Sequence, residues 1–545
     1  MKKRYTFLPE NWFRVGLGVA IVASLSLNTS AQNGPTIQWD KSFGGSGNDY
    51  LRSLRQTTDG GYFLGGYSNS GTSADKSQAS NGLSDYWFIR LTANGIKTMD
   101  KTIGAGNDDL FSSAQQTSDG GFILGGSSNS GISGDKSQAT NGGFDYWIVK
   151  LDANGIKTWD KTFGGSARDE LYSLEQTSDG GYILGGTSYS GISGDKSQAS
   201  SGLNDFWVIK IDANGNKLWD KTYGGNDGDL LRSLKQTSDG GYILGGTSSS
   251  GISGDKTQAS RGSSDYWVVK LDNNGNKVWD KTIGGSSADA ITALQQTADG
   301  GYILGGYSSS NISGDKSQNC QGGYDFWVVK LNSSGGIIWD KTIGGNGEDE
   351  LYSIQQTLNG SYILGGFSES GLSGNKTQPS RGGADFWVTK LDNNGIMTWD
   401  KSFGGDNHDG IFSAQQTVDG GFILGGYSLS SFSGDKSQTS QGMSDYWIVK
   451  LGTDVTGLKE FEASFTVSIS PNPNQGKFTL QLNNLTAPKA EVTVSDLLGR
   501  VVLQQPLNVS NKQISEELTL PQAKGMYLLQ IKAGKQIIPR KIVVE

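Results

Sequence analysis

The chain has 545 residues, among them 82 glycines, one cysteine and one histidine, and its formal net charge is −8. One cysteine excludes an intrachain disulfide, and one cysteine with one histidine cannot furnish a closed zinc or copper site. The acidic balance, without a basic stretch that interleaves aromatic residues, argues against nucleic acid as a partner.

The first segment, residues 1–31, is predicted to be a signal peptide. Basic residues precede a short apolar run from Val15 to Leu27, and small residues up to Ala31 suit cleavage there. The run is shorter than the ~20 residues of a membrane span, and no cysteine follows it to serve as a lipoprotein anchor. An N-terminal membrane anchor is the alternative. The mature chain, at a charge of −11, is expected to be exported and to lack a transmembrane segment.

Residues 32–451 consist of seven repeats of 60 residues. A "WDK" phrase recurs from Trp39 to Trp399, and a second tryptophan follows "DY" or "DF" from Trp87 to Trp447. Each repeat contains four strand-like runs. In the third repeat these are 171–177, 182–188, 205–212 and 216–224. The first run alternates apolar and polar residues, whereas the second and third are more continuously apolar, as expected of strands buried on both faces.

Four antiparallel strands repeated at this length are typical of a propeller blade, so the sequence predicts an all-β, seven-bladed β-propeller. The last repeat stops at Leu451 without a fourth strand, and an orphan strand, 37–45, precedes the first repeat. We expect this N-terminal strand to close the last blade, with Trp39's strand beside Trp447's. An open β-solenoid is the alternative, and it leaves the orphan strand unexplained.

The phrases "QTSDGGYILGG" and "DYWIVKLDANG" resemble the repeats of secreted bacterial β-propellers. The resemblance covers roughly residues 37–451 and implies the architecture. It leaves the function open, because propellers host many unrelated activities.

The loops of such a propeller divide between two faces. Short hairpins lie on one face, while the long loops between second and third strands and the links between blades lie on the other, the expected functional face. Groups repeated in every blade are expected to hold loops, although a ring of carboxylates for cations or sugar hydroxyls is the alternative. In the third repeat these groups are Asp169, Asp195, Lys196, Gln198, Asp205 and Trp207. A ligand is expected instead where repeats differ, at Arg168, Tyr189, Arg261, Glu369, Arg381 and His408.

No metal site, cofactor or catalytic residue is predicted. The turns "DANGN" and "DNNGN" faintly resemble calcium loops, so calcium stays open there, but hairpin-turn chemistry accounts for them. His408 occupies a position that varies between repeats, which argues against a Ser/His/Asp triad. The acidic cluster from Glu348 to Glu350 is interpreted as solvated.

A polar linker, 452–464, is predicted to join a second domain, 465–545, whose six or seven short alternating strands predict a small antiparallel β-sandwich. "PNP", "DLLGR", "GMYLLQI" and the terminal "KIVVE" resemble the type A sorting domain of the type IX secretion system of Bacteroidota. The motif residues are Pro471, Asn472, Pro473, Gly499, Arg500, Gly525, Tyr527 and Lys541. The resemblance implies the type IX machinery as partner and release or surface attachment after export. A generic adhesion-type sandwich is the alternative.

These features predict a secreted or cell-surface propeller that acts as a binding or adhesion module for a glycan, protein or matrix, without catalysis. One alternative is a secreted carbohydrate-active enzyme with an Asp/Glu pair on the long-loop face. Such an enzyme needs one deep pocket with two carboxylates ~5–10 Å apart. The other alternative is a purely structural surface protein.

Overall fold

The computed structural model describes residues 34–454, 465–485, 487–496, 501–520, 525–533 and 536–544. Its regular elements are 35 β-strands, numbered here along the chain, so the all-β prediction is confirmed. Contacts divide the chain into two compact units: the repeat unit contains Gln38–Val418 and Phe422–Lys450, and the C-terminal unit contains Leu451–Glu545 together with Gly34–Ile37 and Asp419–Gly421. The predicted signal peptide, 1–31, and most of the predicted linker lie outside the described residues.

The repeat unit is built from seven four-stranded sheets, in which the four strand positions recur every 60 residues. The first strands are β2 (Asp49–Gln56), β6 (Asp109–Gln116), β10 (Asp169–Gln176), β14 (Asp229–Gln236), β18 (Asp289–Gln296), β22 (Asp349–Gln356) and β26 (Asp409–Gln416). The second strands are β3 (Tyr62–Ser68), β7 (Phe122–Ser128), β11 (Tyr182–Ser188), β15 (Tyr242–Ser248), β19 (Tyr302–Ser308), β23 (Tyr362–Ser368) and β27 (Phe422–Ser428). The third strands are β4 (Asp85–Leu91), β8 (Asp145–Leu151), β12 (Asp205–Ile211), β16 (Asp265–Leu271), β20 (Asp325–Leu331), β24 (Asp385–Leu391) and β28 (Asp445–Leu451). The fourth strands are β5 (Lys97–Ile103), β9 (Lys157–Phe163), β13 (Lys217–Tyr223), β17 (Lys277–Ile283), β21 (Ile337–Ile343), β25 (Met397–Phe403) and, for the seventh sheet, β1 (Ile37–Phe43).

The N-terminal strand β1 completes the last sheet. Six sheets follow the chain from first to fourth strand, and the seventh has the order β1-β28-β27-β26, which confirms the predicted neighbourhood of Trp39's and Trp447's strands. The indole N–H of Trp447 donates to Asp40 at 3.1 Å, just as Trp207 donates to Asp220 at 3.2 Å in the third sheet. The strand therefore occupies the place of a fourth strand.

The hydrophobic core lies between successive sheets. Strands β11 and β12 are buried at every position, as the continuous apolar runs predicted. The Trp207 ring lies 4.9 Å from that of Tyr146 in the preceding sheet, and the Tyr146 hydroxyl donates to the Trp207 carbonyl at 3.0 Å. The same contact joins the seventh sheet to the first, because the Tyr446 hydroxyl donates to the Trp87 carbonyl at 3.0 Å. This cycle of repeated sheets is consistent with a β-propeller.

Each first strand contains a β-bulge at its fourth residue, here called the bulge position. In β10, Leu171 pairs with Gly186 and Ser173 pairs with Gly185, so that Tyr172 is the extra residue. The predicted alternation is therefore interrupted, since the next buried apolar residue after Leu171 is Leu174. A bulge bends its strand and re-aims the extra side chain.

The described part of the C-terminal unit contains seven strands in two antiparallel sheets. They are β29 (Thr466–Ser470), β30 (Lys477–Asn483), β31 (Lys489–Asp496), β32 (Val501–Asn508), β33 (Gln513–Thr519), β34 (Gly525–Ala533) and β35 (Gln536–Val544). The sheet orders are β29-β30-β33 and β32-β31-β34-β35. Both sheets contribute to one hydrophobic core, which includes Phe478 and Leu480 from the first and Val492, Leu529 and Ile542 from the second.

Candidate functional site

The long loop of the third sheet is held by three carboxylates. Asp169 and Asp205 recur in every repeat, whereas the sixth repeat carries Asn375 at the position of Asp195. Asp169 is fully buried and accepts a backbone N–H at 2.7 Å and the Ser190 hydroxyl at 2.9 Å. Asp205 accepts the N–H of Ser201 at 2.6 Å, and burial raises the pKa of its carboxyl to about 6. Asp195 accepts a backbone N–H from the preceding link at 3.3 Å. These contacts fix the loop against the link.

The repeated lysine and glutamine also make contacts inside the chain. Lys196 donates to the Thr222 hydroxyl at 2.5 Å and lies 5.6 Å from the centroid of the Trp207 ring. Gln198 accepts the N–H of Thr222 at 2.8 Å, which joins the long loop to β13. Burial lowers the pKa of Lys196 to about 8, against the opposing charge of nearby aspartates.

Two of the residues predicted at the ligand face tie neighbouring sheets together. Arg261 pairs with Asp315, and Arg381 pairs with Asp435. Each arginine also donates to a backbone carbonyl, at 3.3 Å for Arg261 and 3.1 Å for Arg381. In both pairs the carboxylate belongs to the long loop of the next sheet.

The other predicted residues lie around the third and sixth sheets. Arg168 pairs with Glu170, and Tyr189 beside it is 43% exposed. The His408 ring lies 5.6 Å from that of Phe367 and 5.8 Å from that of Tyr427. Glu369 donates its backbone N–H to the carbonyl of Glu348 at 2.9 Å. The six predicted residues are thus spread over several sheets and links.

Two central cavities lie among the first strands of all seven sheets. The hairpin cavity, of about 500 Å³, adjoins the strand ends that lead into the short hairpins. The long-loop cavity, of about 750 Å³, adjoins the strand ends that follow the links. Six side chains at bulge positions line both cavities: Arg52, Ser112, Tyr172, Thr292, Tyr352 and Phe412. The seventh, Arg232, lines the long-loop cavity, and the seven together are called the bulge ring.

The bulge ring is chemically uneven although its backbone is repeated. The Arg52 guanidinium lies 4.3 Å from the centroid of the Phe412 ring, and that of Arg232 lies 4.3 Å from the Tyr172 ring. In each pair an arginine stacks on the bulge-position aromatic residue of the preceding sheet. Cation–π contacts of this kind orient the guanidinium plane.

Glu170 is the one carboxylate in the described lining of the long-loop cavity. It pairs with Arg168 and accepts the Tyr172 hydroxyl at 3.0 Å. Burial raises the pKa of the Tyr172 phenol, an effect that the nearby Arg232 charge opposes. The Tyr172 hydroxyl is therefore protonated at neutral pH and donates to Glu170.

The hairpin cavity is lined by longer polar side chains, which connect the first strands to one another. Glu175 accepts the backbone N–H of Gln236 at 2.9 Å, and in other sheets a glutamine at the same position accepts the corresponding N–H. Arg55 and Lys235 stand at the equivalent position in two sheets and cannot accept such a bond. Desolvation lowers the pKa of Arg55, and the Glu175 charge opposes this shift.

The prediction from sequence missed both cavities because it sought differences between repeats on the loops alone. A signal was present in the first strands. Residues 52–55 read "RSLR" and residues 232–235 read "RSLK", where the other repeats carry at most one charge. The serine and leucine of these phrases are buried. The two flanking basic residues are therefore the feature that distinguishes these repeats from the others.

In the turns that resemble calcium loops, the aspartate carboxylate accepts hydrogen bonds from residues of the same turn. Asp212 Oδ1 accepts the N–H groups of Asn214 at 2.9 Å and Asn216 at 2.8 Å, and the Asn216 amide donates to Oδ2 at 2.9 Å. Within the described residues, no three His, Cys, Asp or Glu side chains come together as a metal site. The described part of the chain also contains no helix of the length and apolarity that a membrane crossing requires.

The sorting motif is organised around the last strand. Asn472, between Pro471 and Pro473, accepts the N–H of Val543 at 2.9 Å. Gly525 begins β34, and the buried Tyr527 belongs to the hydrophobic core. Lys541 lies in β35, whereas Gly499 and Arg500 fall outside the described residues.

Comparison with known proteins gives a match at the C-terminus: residues 468–545 match the family described as the secretion system C-terminal sorting domain. A curated protein, regulatory protein FlaEY of Caulobacter vibrioides, is 24% identical over 258 residues, which cover 43% of this chain and 27% of that protein. The chain therefore spans about a quarter of the length of this relative.

Solved structures with a partial likeness to the chain include puromycin hydrolase, at 10% identity and a TM-score of 0.31, with 69% of this chain and 58% of that chain covered. Glycoside hydrolase family 32 from Bifidobacterium adolescentis is 8% identical at a TM-score of 0.26, with 93% and 96% covered. At such scores these likenesses carry no argument about activity.

The match to the sorting domain covers nearly all of the segment predicted for it, and all eight motif residues lie within it. Residues 468–545 are therefore a type IX secretion sorting domain, through which the chain is exported to the cell surface or the extracellular space.

Proposed function

We propose that this chain is an exported binding protein whose repeat unit is a closed, seven-bladed β-propeller with its ligand site in the long-loop cavity. The observation that carries the proposal is the bulge ring. There, repeats with the same backbone present arginine, tyrosine, phenylalanine, serine and threonine to one cavity. Binding sites combine aromatic walls with a few placed polar groups in cavities of this size.

The glutamines at the ends of the first strands support a closed ring of seven blades. Each accepts a backbone N–H from the hairpin of the preceding sheet, and Gln56 does so from Val418 at 2.9 Å, across the ends of the array. A closed ring has no open sheet edge for other chains to pair with.

Binding is favoured over catalysis by the state of the carboxylate in the cavity. Glu170 is already engaged by Arg168 and Tyr172. A glycosidase needs two carboxylates that flank the scissile bond. The ligand is an extracellular glycan or protein, and no cofactor is required.

One observation favours a carbohydrate-active enzyme as a second candidate. Burial, and then the charges of Glu348 and Glu369, raise the pKa of Glu350, while the Tyr352 hydroxyl donates to it at 2.6 Å and opposes this shift. A carboxyl group with a raised pKa beside ionised ones is typical of a general acid. Release of reducing sugar from polysaccharides, lost in Glu350→Gln and kept in Glu170→Gln, would support this candidate.

The remaining organisation follows the predicted boundaries. Residues 1–31 direct the chain to the periplasm, 452–464 link the units, and 465–545 form a small β-sandwich that the type IX machinery recognises. The match to the sorting family and the single core shared by its two sheets support this arrangement.

The proposal is tested by filling the cavity. We expect the full secreted chain to bind members of a glycan array and Ser112→Trp to lose that binding, because Ser112 lines both cavities. Ser118→Trp, on an exposed hairpin, is the matched control and should bind normally. Equal binding by both variants would place the site elsewhere and contradict the proposal.

A further inference from the structure

Two arginines in the long-loop cavity have no acidic partner among the residues that the structure describes. Arg52 donates to the Tyr67 hydroxyl at 3.2 Å and stacks on Phe412, while Arg232 stacks on Tyr172. In the part of the chain that the structure describes, neither guanidinium forms an ion pair. Most buried or half-buried charges in proteins are paired, so an unpaired arginine that faces a cavity is available to a ligand.

The charge of this cavity is opposite to that of the whole protein. The chain carries a net charge of −8, yet the charged residues of the cavity lining are Arg52, Arg232 and Glu170. Glu170 pairs with Arg168, so the two arginines are the charged residues of the described lining that form no ion pair, while Glu350 lies outside the lining and accepts the Tyr352 hydroxyl. An acidic protein repels anions at long range, so a positive cavity selects for an anion at close contact.

Both arginines are held in place before any ligand arrives. Each lies 4.3 Å from the aromatic ring on which it stacks. Each guanidinium carries five N–H donors, of which Arg52 gives one to the Tyr67 hydroxyl, and the remaining donors can match a carboxylate or sulfate with two parallel hydrogen bonds. Groups ordered in advance lose less conformational entropy on binding.

The rest of the lining suits a sugar ring better than a peptide. The aromatic side chains Tyr172, Tyr352 and Phe412 add apolar surface for the C–H groups of a pyranose beside the ring faces that the arginines cover, and Ser112 and Thr292 add hydroxyls. The cavity, of about 750 Å³, has room for a short oligosaccharide.

We propose that the long-loop cavity binds an anionic saccharide, and that Arg52 and Arg232 each bind an oxyanion group of that ligand. This inference rests on the proposed function, since it assigns a ligand class to the same site. Carboxylate and sulfate offer the same paired oxygens, so uronate-containing and sulfated saccharides are the two sources of this chemistry.

The test is calorimetric titration of the full secreted chain. The probes are an oligogalacturonate, its neutral methyl ester, a sulfated galactose oligosaccharide and an acidic peptide of equal charge. We expect at least one of the two anionic saccharides to bind, with an affinity that falls at high salt, and the methyl ester to bind at least about 10-fold more weakly than the oligogalacturonate if that is the ligand.

The variants use residues that other repeats carry at the same position, so the fold is retained. Arg52→Ser and Arg232→Ser should each weaken binding by about 10- to 100-fold. Arg55→Gln removes the same charge in the hairpin cavity, where Gln115 is the equivalent residue, and should leave the affinity within about threefold.

The outcomes separate this inference from the proposed function. Equal binding of the methyl ester and the oligogalacturonate, with loss of both in Ser112→Trp, overturns the anionic ligand and keeps the binding site. A larger loss in Arg55→Gln than in the two serine variants moves the anion to the hairpin cavity and overturns the assignment. Tighter binding of the acidic peptide, or no binding of any saccharide, overturns the ligand class.

Discussion

The guanidinium of Arg52 lies 4.3 Å from the centroid of the Phe412 ring, although the two residues are 360 positions apart in the chain. Arg52 belongs to the first sheet and Phe412 to the seventh, so the contact crosses the ends of the repeat array. Arg232 and Tyr172 make the same contact, at the same distance, between two sheets that follow each other in sequence. The seventh and first sheets therefore pack as any other neighbours do.

The close packing of sheets predicts that Gly186 cannot be replaced. A Cβ atom at Gly186 would lie 1.9 Å from the Glu170 carbonyl and 2.6 Å from the Tyr146 hydroxyl. We expect Gly186→Ala to lower the free energy of unfolding by about 1–3 kcal/mol, measured by chemical denaturation. Gly191→Ala is the matched control, because a Cβ at Gly191 has no atom within 4 Å. Equal stability of the two variants would contradict the packing described here.

Closure by β1 predicts that a residue near the N-terminus is as important for stability as its internal counterpart. Asp40 accepts the indole N–H of Trp447 at 3.1 Å and the N–H of Ser437 at 2.9 Å. In the third sheet, Asp220 accepts the corresponding groups at 3.2 and 2.9 Å. Asp40→Ala should destabilise the repeat unit about as much as Asp220→Ala, because each leaves buried donors unpaired at about 1–3 kcal/mol apiece.

Thermal or chemical unfolding of the two variants, side by side, measures this equivalence. An N-terminal strand that frays in solution would give a different result. In that case Asp40→Ala would unfold like the unaltered chain while Asp220→Ala lost stability.

Much of the fold could be predicted because the seven repeats of the chain can be aligned with one another. The two tryptophan series mark the strands, and the orphan strand of Trp39 leads to its place beside Trp447 without any alignment of relatives. Such reasoning works where one residue type has one structural role in every repeat.

The central cavities could not be predicted in the same way because their lining depends on the bulge. Without it, Tyr172 would continue the alternation of β10 and its side chain would have no reason to line the cavities. A bulge inserts one residue into the pairing register, and nothing in a single sequence states which residue is the extra one. The long loops, by contrast, can be recognised in the sequence by their length.

Deleting residues 465–545 is expected to stop export at the periplasm, because the sorting domain that residues 468–545 match would be lost. Fractionation followed by immunoblotting of the repeat unit measures the outcome, with the full chain carrying the same tag as control. A reporter fused to residues 455–545 and given a signal peptide should reach the surface. Normal surface delivery of the truncated chain would refute the sorting role.

The buried charges predict that stability falls between about pH 4 and pH 7. Burial raises the pKa of Asp85 and Asp145 to about 7 and that of Asp205 to about 6, from 3.8. The folded state then holds these protons more tightly than the unfolded chain does, so the stabilisation present below about pH 4 is lost as the pH rises to the folded pKa. Carboxyl groups whose pKa is lowered, such as Asp179 at about 2, change the stability only below about pH 4.

At higher pH the lysines of the long loops reverse the trend. Burial lowers the pKa of Lys136 and Lys196 from 10.5 to about 8, so the folded state releases these protons first and stability rises with pH from about 8 to 10.5. We therefore expect the free energy of unfolding to pass through a minimum near pH 7–8, where denaturation midpoints across the range from about pH 4 to 10 would detect it. Asp205→Asn should flatten the acid side of this curve, because an amide does not titrate. A stability that rises between pH 4 and 7 in the unaltered chain would mean that the repeated carboxyls are ionised when buried, each with a partner that the described contacts do not include.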